Sequence, residues 1–238
     1  MKGVILAGGL GTRLRPLTLI TNKHLLPVFD KPMIFHPIET LVKAGITEIL
    51  IVVGGPHAGH FISVLKNGKD LGLKHLEFAY QEGEGGISQA LSLAEDFSDK
   101  DNITVILGDN CTDANISKDV KNFKEGALIF FKKVINPERF GVAVFDNNKN
   151  IIGIEEKPKK PRSNMAQTGL YIYDNTVFDR IRKLKPSKRG ELEVTDLNNS
   201  YLKDKQFKWA ELKGFWSDAG TFESLFEVNK YWSKKKIN

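Results

Sequence analysis

A glycine-rich segment with two arginines follows the first apolar run of the chain. Residues 8–15 read GGLGTRLR and come directly after Val4–Leu6, which has the composition of a buried strand. Glycines let backbone N–H groups approach phosphate oxygens closely, and a helical turn after the loop would add its positive dipole end. Arg13 and Arg15 add positive charge that does not titrate. The segment therefore predicts a cradle for a polyphosphate.

Two common nucleotide-binding motifs are excluded in their strict form. The dinucleotide fingerprint G-x-G-x-x-G would need a third glycine where this chain has Leu14. A P-loop needs Gly-Lys followed by Ser or Thr, whereas Thr12 follows the last glycine here. Asp30 lies about 20 residues beyond the glycines, where the dinucleotide fingerprint has a ribose-binding acid, but the surrounding sequence FDKP indicates a turn. The segment 8–15 is then either a third type of phosphate-binding loop or a tight turn whose arginines face solvent.

Two aspartates are placed where they could bind a metal ion. Asp109 follows the apolar run Ile103–Leu107, and Asp218 lies in the turn-like segment Phe215–Thr221. Because ligands of open α/β sheets bind beyond the carboxyl ends of the strands, we expect Asp109 beside the cradle. Either acid could instead be an ordinary turn or cap residue. If the two converge they form a Mg²⁺ site, since this ion takes a few carboxylates together with water and phosphate oxygens.

Two further segments carry charges that suit phosphate and sugar binding. Lys23 precedes an apolar pair and a proline, and the point charge of a lysine suits a phosphate. Glu156 and Lys157 end a strand-like run before Pro158. There the carboxylate could accept hydrogen bonds from sugar hydroxyls while the lysine meets a phosphate. A surface lysine and a pair of surface charges would explain the two segments equally well.

The elements that position these residues change in character halfway along the chain. In the first half, the expected strands are 4–6, 49–53, 76–78 and 103–107, and the expected helices are 33–43, 58–66 and 87–95. This alternation is typical of a mostly parallel sheet with helices on its faces. Beyond residue 109, the expected strands are 127–134, 142–145, 151–155 and 169–173, and the expected helices are 176–183, 195–202 and 221–232. Turns between these strands indicate antiparallel pairing.

Composition limits the class of protein and of partner. The chain has 238 residues, enough for one α/β domain with a full core, and one cysteine, which excludes an intramolecular disulfide and favours the reducing cytoplasm. No apolar run approaches the roughly 18 residues of a membrane span. The net charge of +6 comes from local lysine and arginine clusters without aromatic-basic motifs. We therefore expect an anionic small molecule as partner, with no nucleic acid and no membrane.

The order and spacing of these segments resemble the sugar-nucleotidyltransferases, and most closely the branch that uses thymidine triphosphate, over essentially the whole chain. The segments that carry the resemblance are GGLGTR (8–13), KHLLP (23–27), DKPMI (30–34), GDN (108–110), PERFGV (137–142), EEKP (155–158), TGLY (168–171) and RGELEVTD (189–196). The resemblance implies an α/β fold with a Rossmann-like, mixed and mostly parallel sheet flanked by helices. It implies a single nucleotidyltransferase domain (1–238) with a nucleotide-binding half (1–110) and an antiparallel, sugar-phosphate-binding half (111–238).

The resemblance also implies roles for individual residues. Those expected to bind the nucleotide are Leu6, Ala7, Gly8, Gly9, Gly11, Thr12, Arg13, Lys23, Gln81, Gly86 and Asp109. Those expected to bind the sugar phosphate are Asn110, Gly141, Glu156, Lys157, Thr168, Gly169 and Arg189. Arg13, Lys23 and Asp109 would be catalytic, and Asp109 and Asp218 would bind Mg²⁺. The implied substrates are dTTP, or UTP, and glucose 1-phosphate, and the implied second product is pyrophosphate.

The chain departs from the family pattern in three places. The loop 81–90, QEGEGGISQA, has extra acid and glycine where a proline-containing stretch is usual, which leaves the base and the sugar open. Residues 217–220, Ser-Asp-Ala-Gly, replace the ending Asp-Thr-Gly that is more usual in the family, although the carboxylate of Asp218 is kept. The chain also stops soon after Trp232, so the C-terminal extension that carries an allosteric nucleotide site in longer members is expected to be missing.

Alternatives in substrate and in class stay open at this point. Thymine and uracil differ by one methyl group, which a pocket discriminates by only about 10- to 200-fold, so UTP or another sugar 1-phosphate remains possible. A catalytically silent sugar-nucleotide sensor is an alternative of a different class, although Arg13, Lys23, Asp109 and Asp218 are all present. A nicotinamide oxidoreductase is disfavoured by the failed fingerprint. A homo-oligomer, dimer or tetramer, is expected, with the aromatic residues of 222–232 either at its interface or on the chain's own core.

Overall fold

Strands and helices alternate through the first half of the chain. The structure, a computed structural model, describes residues 1–237. Its strands are β1 Lys2–Ala7, β2 Pro27–Val28, β3 Lys31–Pro32, β4 Glu48–Gly54, β5 His75–Gln81, β6 Ile103–Leu107, β7 Asn110–Thr112, β8 Ala127–Lys133, β9 Gly141–Phe145, β10 Ile151–Glu156, β11 Met165–Tyr173, β12 Phe207–Glu211 and β13 Trp216–Asp218. Its helices are α1 Phe35–Lys43, α2 Ala58–Leu65, α3 Ile87–Ser92, α4 Glu95–Ser98, α5 Ser117–Asn122, α6 Val177–Lys183, α7 Val194–Lys203 and α8 Phe222–Ile237. No helix in this range is long and apolar enough to cross a membrane.

A mixed sheet of nine strands crosses the described part of the chain. Its main path runs β10-β9-β11-β6-β1-β4-β5; β8 joins it beside β11, and β12 pairs with β8. β6, β1, β4 and β5 are parallel to one another. β11 is antiparallel to β6, β8 and β9, β10 is antiparallel to β9, and β12 is parallel to β8. The parallel strands of the first half and the mainly antiparallel strands of the second half confirm the predicted fold class.

The central strands send alternate side chains into two hydrophobic cores. Val4 and Leu6 of β1 pack with residues of α3, α6 and α7, whereas Ile5 and Ala7 pack with residues of α1 and α2. Successive residues of a strand point to opposite faces of the sheet, and helices cover both faces here. The strands are therefore apolar on both sides, which explains why they appear in the sequence as continuous apolar runs.

The expectation of one helix over 87–95 is wrong, because the structure has two shorter ones. α3 ends at Ser92 and α4 begins at Glu95. Between them, the N–H groups of Leu93 and Ala94 donate to carbonyls only three residues back, at 3.3 and 3.0 Å. These tighter bonds end the α-helical ladder. α5, β12 and two short strand pairs, β2–β3 and β7–β13, were not predicted at all.

The C-terminal helix α8 divides its aromatic residues between core and surface. The ring of Tyr231 stacks on Phe215 with 3.8 Å between centroids. Trp232 packs against the core cluster that also holds Leu14 and Leu26. Phe222 and Phe226 are 45 % and 66 % exposed. Packing on the chain's own core therefore accounts for Tyr231 and Trp232, and the other two rings lie at the surface.

His36 on α1 is a buried imidazole beneath α8. Its ring lies 4.7 Å from the Trp232 ring, and its Nε2 has no hydrogen-bond partner among the described residues. Burial, with the charge of Lys31 acting in the same direction, lowers the pKa of His36 to about 3. The folded protein thus keeps this imidazole neutral, whereas the unfolded chain protonates it near pH 6.5.

We expect His36 to make the protein less stable in mild acid. Below pH 6.5 the unfolded state binds a proton that the folded state does not, so stability falls as the pH drops toward 3. The His36 contribution between pH 7 and pH 5 is about 1–2 kcal/mol. Urea unfolding at both pH values should show a smaller pH dependence in His36→Asn than in wild type. Equal pH dependence in the two proteins would contradict this expectation.

Candidate active site

A cavity of about 320 Å³ opens at the carboxyl ends of the parallel strands. This size lies within the range of small-molecule sites, and the position is the one at which open α/β sheets bind ligands. Its lining residues are Leu6, Gly8, Gly9, Lys23, His24, Gln81, Gly83, Glu84, Gly86, Ile87, Ala90, Leu107, Asp109 and Glu191. All but Glu191 come from residues 1–110.

The glycine-rich loop lies at the mouth of this cavity. Gly11 has a φ of 66°, and a Cβ at that residue would come within 2.8 Å of the Lys23 side chain. The Thr18 hydroxyl donates to the Gly11 carbonyl at 2.9 Å and fixes the loop. A 3-10 turn, Thr12–Leu14, follows the loop and buries Leu14 while leaving Arg13 exposed. The loop thus has the backbone and the adjacent cation that phosphate binding requires.

Lys23 is held beside the loop by its two neighbours. Asn22 Oδ1 accepts from the His24 N–H at 3.0 Å and lies 2.7 Å from Nδ1 of the His24 ring. Burial, with the Lys23 charge acting in the same direction, lowers the pKa of His24 to about 3, so the ring is neutral at pH 7. Lys23 Nζ donates to Asp109 Oδ2 at 2.5 Å. The lysine therefore joins the loop to the first carboxylate.

A short antiparallel ribbon brings the two carboxylates together. β7 pairs with β13 so that Asn110 lies opposite Asp218, and the Ala219 N–H donates to the Asp109 carbonyl at 2.8 Å. A Cβ built on Gly220 would lie 3.3 Å from Asp218 Oδ2 and 3.6 Å from Asp109 Oδ2. It would also lie 3.1 Å from Arg13 Nη2. Both acids and Arg13 therefore lie around one glycine, and the assignment of the two acids to a Mg²⁺ site stays a prediction.

The pKa values of the two carboxylates are shifted in opposite directions. Burial alone would raise the pKa of Asp109, but the charge and the hydrogen bond of Lys23 hold it well below its usual range. Burial and the neighbouring Asp109 charge raise the pKa of Asp218 to about 6, against the effect of Arg139 and Arg13. Arg139 Nη2 lies 3.1 Å from Asp218 Oδ2. At neutral pH each carboxylate is thus ionised and paired with its own cation.

Gln81, which is predicted to bind the base, lies in the cavity between two loops. Its Nε2 donates to the Gly86 carbonyl at 3.3 Å and to Gln89 Oε1 at 2.6 Å. A Cβ at Gly8 would lie only 2.3 Å from Gln81 Oε1. The amide therefore lies directly against the glycine loop, and a side chain at residue 8 would require it to move.

Arg189 and Glu156, both predicted to bind the sugar phosphate, belong to one charged network. The Arg189 guanidinium lies 2.8 Å from Glu193 and 3.5 Å from both Glu156 and Glu191. Glu156 Oε2 accepts from the Thr195 hydroxyl at 2.6 Å. Three carboxylates thus hold the expected phosphate-binding arginine, and Glu191 among them lines the cavity.

Lys157 adopts a backbone conformation that is uncommon for a residue with a side chain. Its φ is 43°, and its N–H donates to the Phe140 carbonyl at 3.0 Å. Non-glycine residues in this region cost free energy and occur often at functional sites. Gly141 follows Phe140, and a Cβ there would come within 3.0 Å of the Thr195 hydroxyl. The geometry thus places Lys157 and Gly141 next to the Glu156–Thr195 pair.

Asn110 and Thr168 use their side chains mainly within the protein. Asn110 Oδ1 accepts from the Gly169 N–H at 2.9 Å and from the Trp216 indole N–H at 2.7 Å. Its Nδ2 donates to Asp109 Oδ1 at 3.1 Å, which leaves one N–H of the amide for a ligand. The Thr168 hydroxyl donates to the Phe130 carbonyl at 2.8 Å. Their assignment to sugar-phosphate binding, like the other assigned roles, stays a prediction.

Some residues of the site were not predicted from the sequence, and three of them have clear contacts or positions. Arg139 pairs with Asp218, Gln89 orients Gln81, and Glu191 lines the cavity. A signal existed for two of them, because Arg139 lies in the segment PERFGV and Glu191 in RGELEVTD, both of which carried the resemblance. Gln89 lies on α3 and had no such signal.

Comparison with known proteins agrees with this geometry. Residues 2–235 match the family model described as nucleotidyl transferase. The glucose-1-phosphate thymidylyltransferase of Neisseria meningitidis is 44 % identical, and that of Mycolicibacterium smegmatis 42 %, each over 97 % of this chain and 82 % of the relative. A Bacillus anthracis structure assigned as a glucose-1-phosphate thymidylyltransferase in complex with sucrose is 49 % identical, with a TM-score of 0.92 over 97 % of this chain and 94 % of that one. A UDP-glucose pyrophosphorylase structure at 24 % identity shares the fold, with a TM-score of 0.84 over 98 % of both chains.

Proposed function

Because the chain belongs to the nucleotidyl transferase family, we propose that it transfers the thymidylyl group of dTTP to glucose 1-phosphate and releases pyrophosphate. The observation that carries this proposal is the meeting of Asp109, Asp218 and Arg13 around Gly220, beside the glycine loop. Relatives with this activity match almost the whole chain at 40–44 % identity. The reaction needs two anions, a triphosphate and a sugar phosphate, to be held side by side, and the charges of the site suit both.

The donor set fits a magnesium ion. Mg²⁺ is usually held by one or two carboxylates and by substrate phosphates rather than by a cage of protein ligands. Asp109 and Asp218 would hold it, and within residues 1–237 no group of three or more His, Cys, Asp or Glu side chains forms an alternative site. When bound, the ion would offset the negative charge that develops on the phosphates.

The nucleotide would lie along the glycine loop. Backbone N–H groups of residues 8–12 would meet the phosphates, with Lys23 and Arg13 adding charge at the side of the departing pyrophosphate. Gln81, oriented by Gln89, would read the pyrimidine together with the backbone of Gly86. Leu6 and Ala7 end β1 directly below this loop. The first half of the chain would thus bind most of the nucleotide.

The sugar phosphate would approach from the second half of the chain. Glu156 would accept hydrogen bonds from sugar hydroxyls, while Lys157 and Arg189 would bind the phosphate. The backbone at Gly141, Thr168 and Gly169 would complete this side. An oxygen of the sugar phosphate then attacks the α-phosphorus of the triphosphate, and pyrophosphate leaves on the opposite side in line. Catalysis of such a transfer is positioning and charge stabilisation, which explains why no protein nucleophile is needed.

We expect dTTP with glucose 1-phosphate to give the highest kcat/KM in a panel of triphosphates and sugar 1-phosphates assayed by pyrophosphate release. UTP should follow within about 10- to 200-fold, because one methyl group separates the two bases. The panel should include ATP, GTP and CTP, and galactose, mannose and N-acetylglucosamine 1-phosphates. A higher value for UTP or for another sugar would change the assigned substrates but not the reaction. Tight binding of a triphosphate with no turnover in any pair would overturn the proposed enzymatic activity and favour a catalytically silent sugar-nucleotide sensor.

The proposal includes a homo-oligomer that works in the cytoplasm. Phe222 and Phe226 are exposed on one helix, which suits a contact between copies of the chain. Cys111 is buried and free, in keeping with a reducing compartment. Light scattering of wild type and a Phe226→Ser variant would test the assembly, with a smaller mass expected for the variant.

A further inference from the structure

The side-chain amide of Asn110 can adopt only one orientation. Its Oδ1 receives two N–H groups, one from the Gly169 backbone at 2.9 Å and one from the Trp216 indole at 2.7 Å. A flipped amide would place its own N–H groups against these two donors. Because indole and backbone N–H groups only donate, the oxygen must face them. The Nδ2 group is therefore fixed on the opposite side.

On that opposite side, Nδ2 donates to Asp109 Oδ1 at 3.1 Å. The other oxygen of the same carboxylate, Oδ2, accepts from Lys23 at 2.5 Å. Both oxygens thus have a fixed donor, and the plane of the carboxylate is set. Asn110 is 2 % exposed and Trp216 is 9 % exposed, so water does not compete for these bonds.

Trp216 also belongs to the strand that carries the second carboxylate. β13 contains both Trp216 and Asp218, and its partner β7 begins at Asn110. The Trp216 indole therefore links the strand that carries Asp218 to the Asn110 amide that contacts Asp109. Phe140 packs against the indole at 5.5 Å between ring centroids and keeps it in place.

We propose that Asn110 and Trp216 are positioning residues that set the orientation of the Asp109 carboxylate for a divalent cation. The inference rests on the proposed function only for the identity of that cation site. This role acts through the Asp109 carboxylate and is separate from the predicted contact of Asn110 with the sugar phosphate. Outer hydrogen-bond partners of metal ligands typically change metal affinity or activity by about 10- to 100-fold when they are removed.

The first test replaces Trp216 with phenylalanine, which keeps a ring in place and removes the N–H donor. We expect about tenfold weaker binding of Mn²⁺ to the substrate-free protein, measured by electron paramagnetic resonance, and a similar rise in the Mg²⁺ concentration that gives half-maximal rate. The KM for each substrate at saturating Mg²⁺ should stay within about twofold while kcat falls. Trp209→Phe is the matched control, because Trp209 lies on β12 and contacts Phe131 and Phe145.

A second variant, Asn110→Ala, removes the hydrogen bonds of the Asn110 amide with both Trp216 and Asp109. It should weaken Mn²⁺ binding further, toward about 100-fold. In ¹⁵N-labelled protein it should also shift the indole signal of Trp216 and speed its exchange with solvent, while the signals of the other two tryptophans stay in place. Thermal unfolding shows whether each variant is folded under the conditions of the binding measurement.

Unchanged Mn²⁺ affinity in folded Trp216→Phe and Asn110→Ala proteins would overturn this inference. Because Mn²⁺ binding is measured without substrates, its outcome is separate from that of the substrate panel. If no substrate pair reacts and the variants still bind Mn²⁺ more weakly, the proposed function fails and the positioning role stands. If wild type turns over and the variants bind Mn²⁺ normally, only the positioning role fails.

Discussion

Asp109→Asn is expected to lower kcat by at least about 100-fold while the protein remains folded. The substitution keeps the shape of the side chain and removes the negative charge that faces Gly220 and Lys23. Without that charge, the site loses one of its two proposed metal ligands, and the half-buried Lys23 loses the negative charge of its partner. The asparagine oxygen can still accept from Lys23, so we expect a stability loss of only about 1–2 kcal/mol. Pyrophosphate release at saturating substrates and thermal unfolding measure the two effects.

Asp70→Asn is the matched control for this variant. Asp70 is exposed on the 3-10 turn Lys69–Leu71, remote from the cavity lining, and its replacement should leave both rate and stability near wild type. Wild-type kcat in Asp109→Asn with Mg²⁺ present would remove Asp109 from the mechanism. A variant that is simply unfolded would show the same loss of rate together with a lost thermal transition, and the second measurement separates these cases.

Gly169→Ala is expected to destabilise the protein by about 3 kcal/mol, which corresponds to a fall in Tm of roughly 6–12 °C. Gly169 lies in the buried strand β11, and a Cβ there would be 2.6 Å from Leu107 Cγ and 2.7 Å from two atoms of the Asn110 amide. The Asn110 amide is buried and held by three hydrogen bonds, so it cannot move aside freely. Because the Asn110 amide contacts Asp109, the same shift should also lower kcat.

Gly153→Ala provides the comparison, since Gly153 also lies in a strand but a Cβ there would meet nothing within 4 Å. We expect this control to change stability by less than about 1 kcal/mol. Chemical unfolding of both variants under one set of conditions gives the difference directly. Similar stabilities for the two alanine variants would show that the space around Gly169 can relax, and that the glycine is not required for packing.

The parallel part of the fold could be predicted because its strands are buried on both faces. Such strands appear as unbroken apolar runs, as in Ile103–Leu107, and the helices between them repeat with the period of one buried face. The turn at Phe29–Asp30 was equally visible, because a proline lies close on either side of it. Local composition determines these features, so no knowledge of distant contacts is needed.

The ribbon that completes the site could not be predicted. β7 and β13 have three residues each, too short for any alternation to show. Their pairing depends on distant contacts, such as the bond from the Thr112 hydroxyl to the Phe215 carbonyl across 103 positions. The pairing of Arg139 with Asp218 could not be predicted from the sequence for the same reason. Asp109 and Asp218 could be selected as candidates from their surroundings, but only the tertiary structure shows that they meet.

The same ribbon links the candidate site to the order in which the chain is synthesised. The glycine loop, Lys23 and Asp109 leave the ribosome before Asp218, and domains begin to fold as they emerge. Asp218 emerges later because β13 comes after the other described strands. A nascent chain can thus shape its glycine loop before it holds both acids. The ability to break a triphosphate is thereby delayed until β13 has been synthesised.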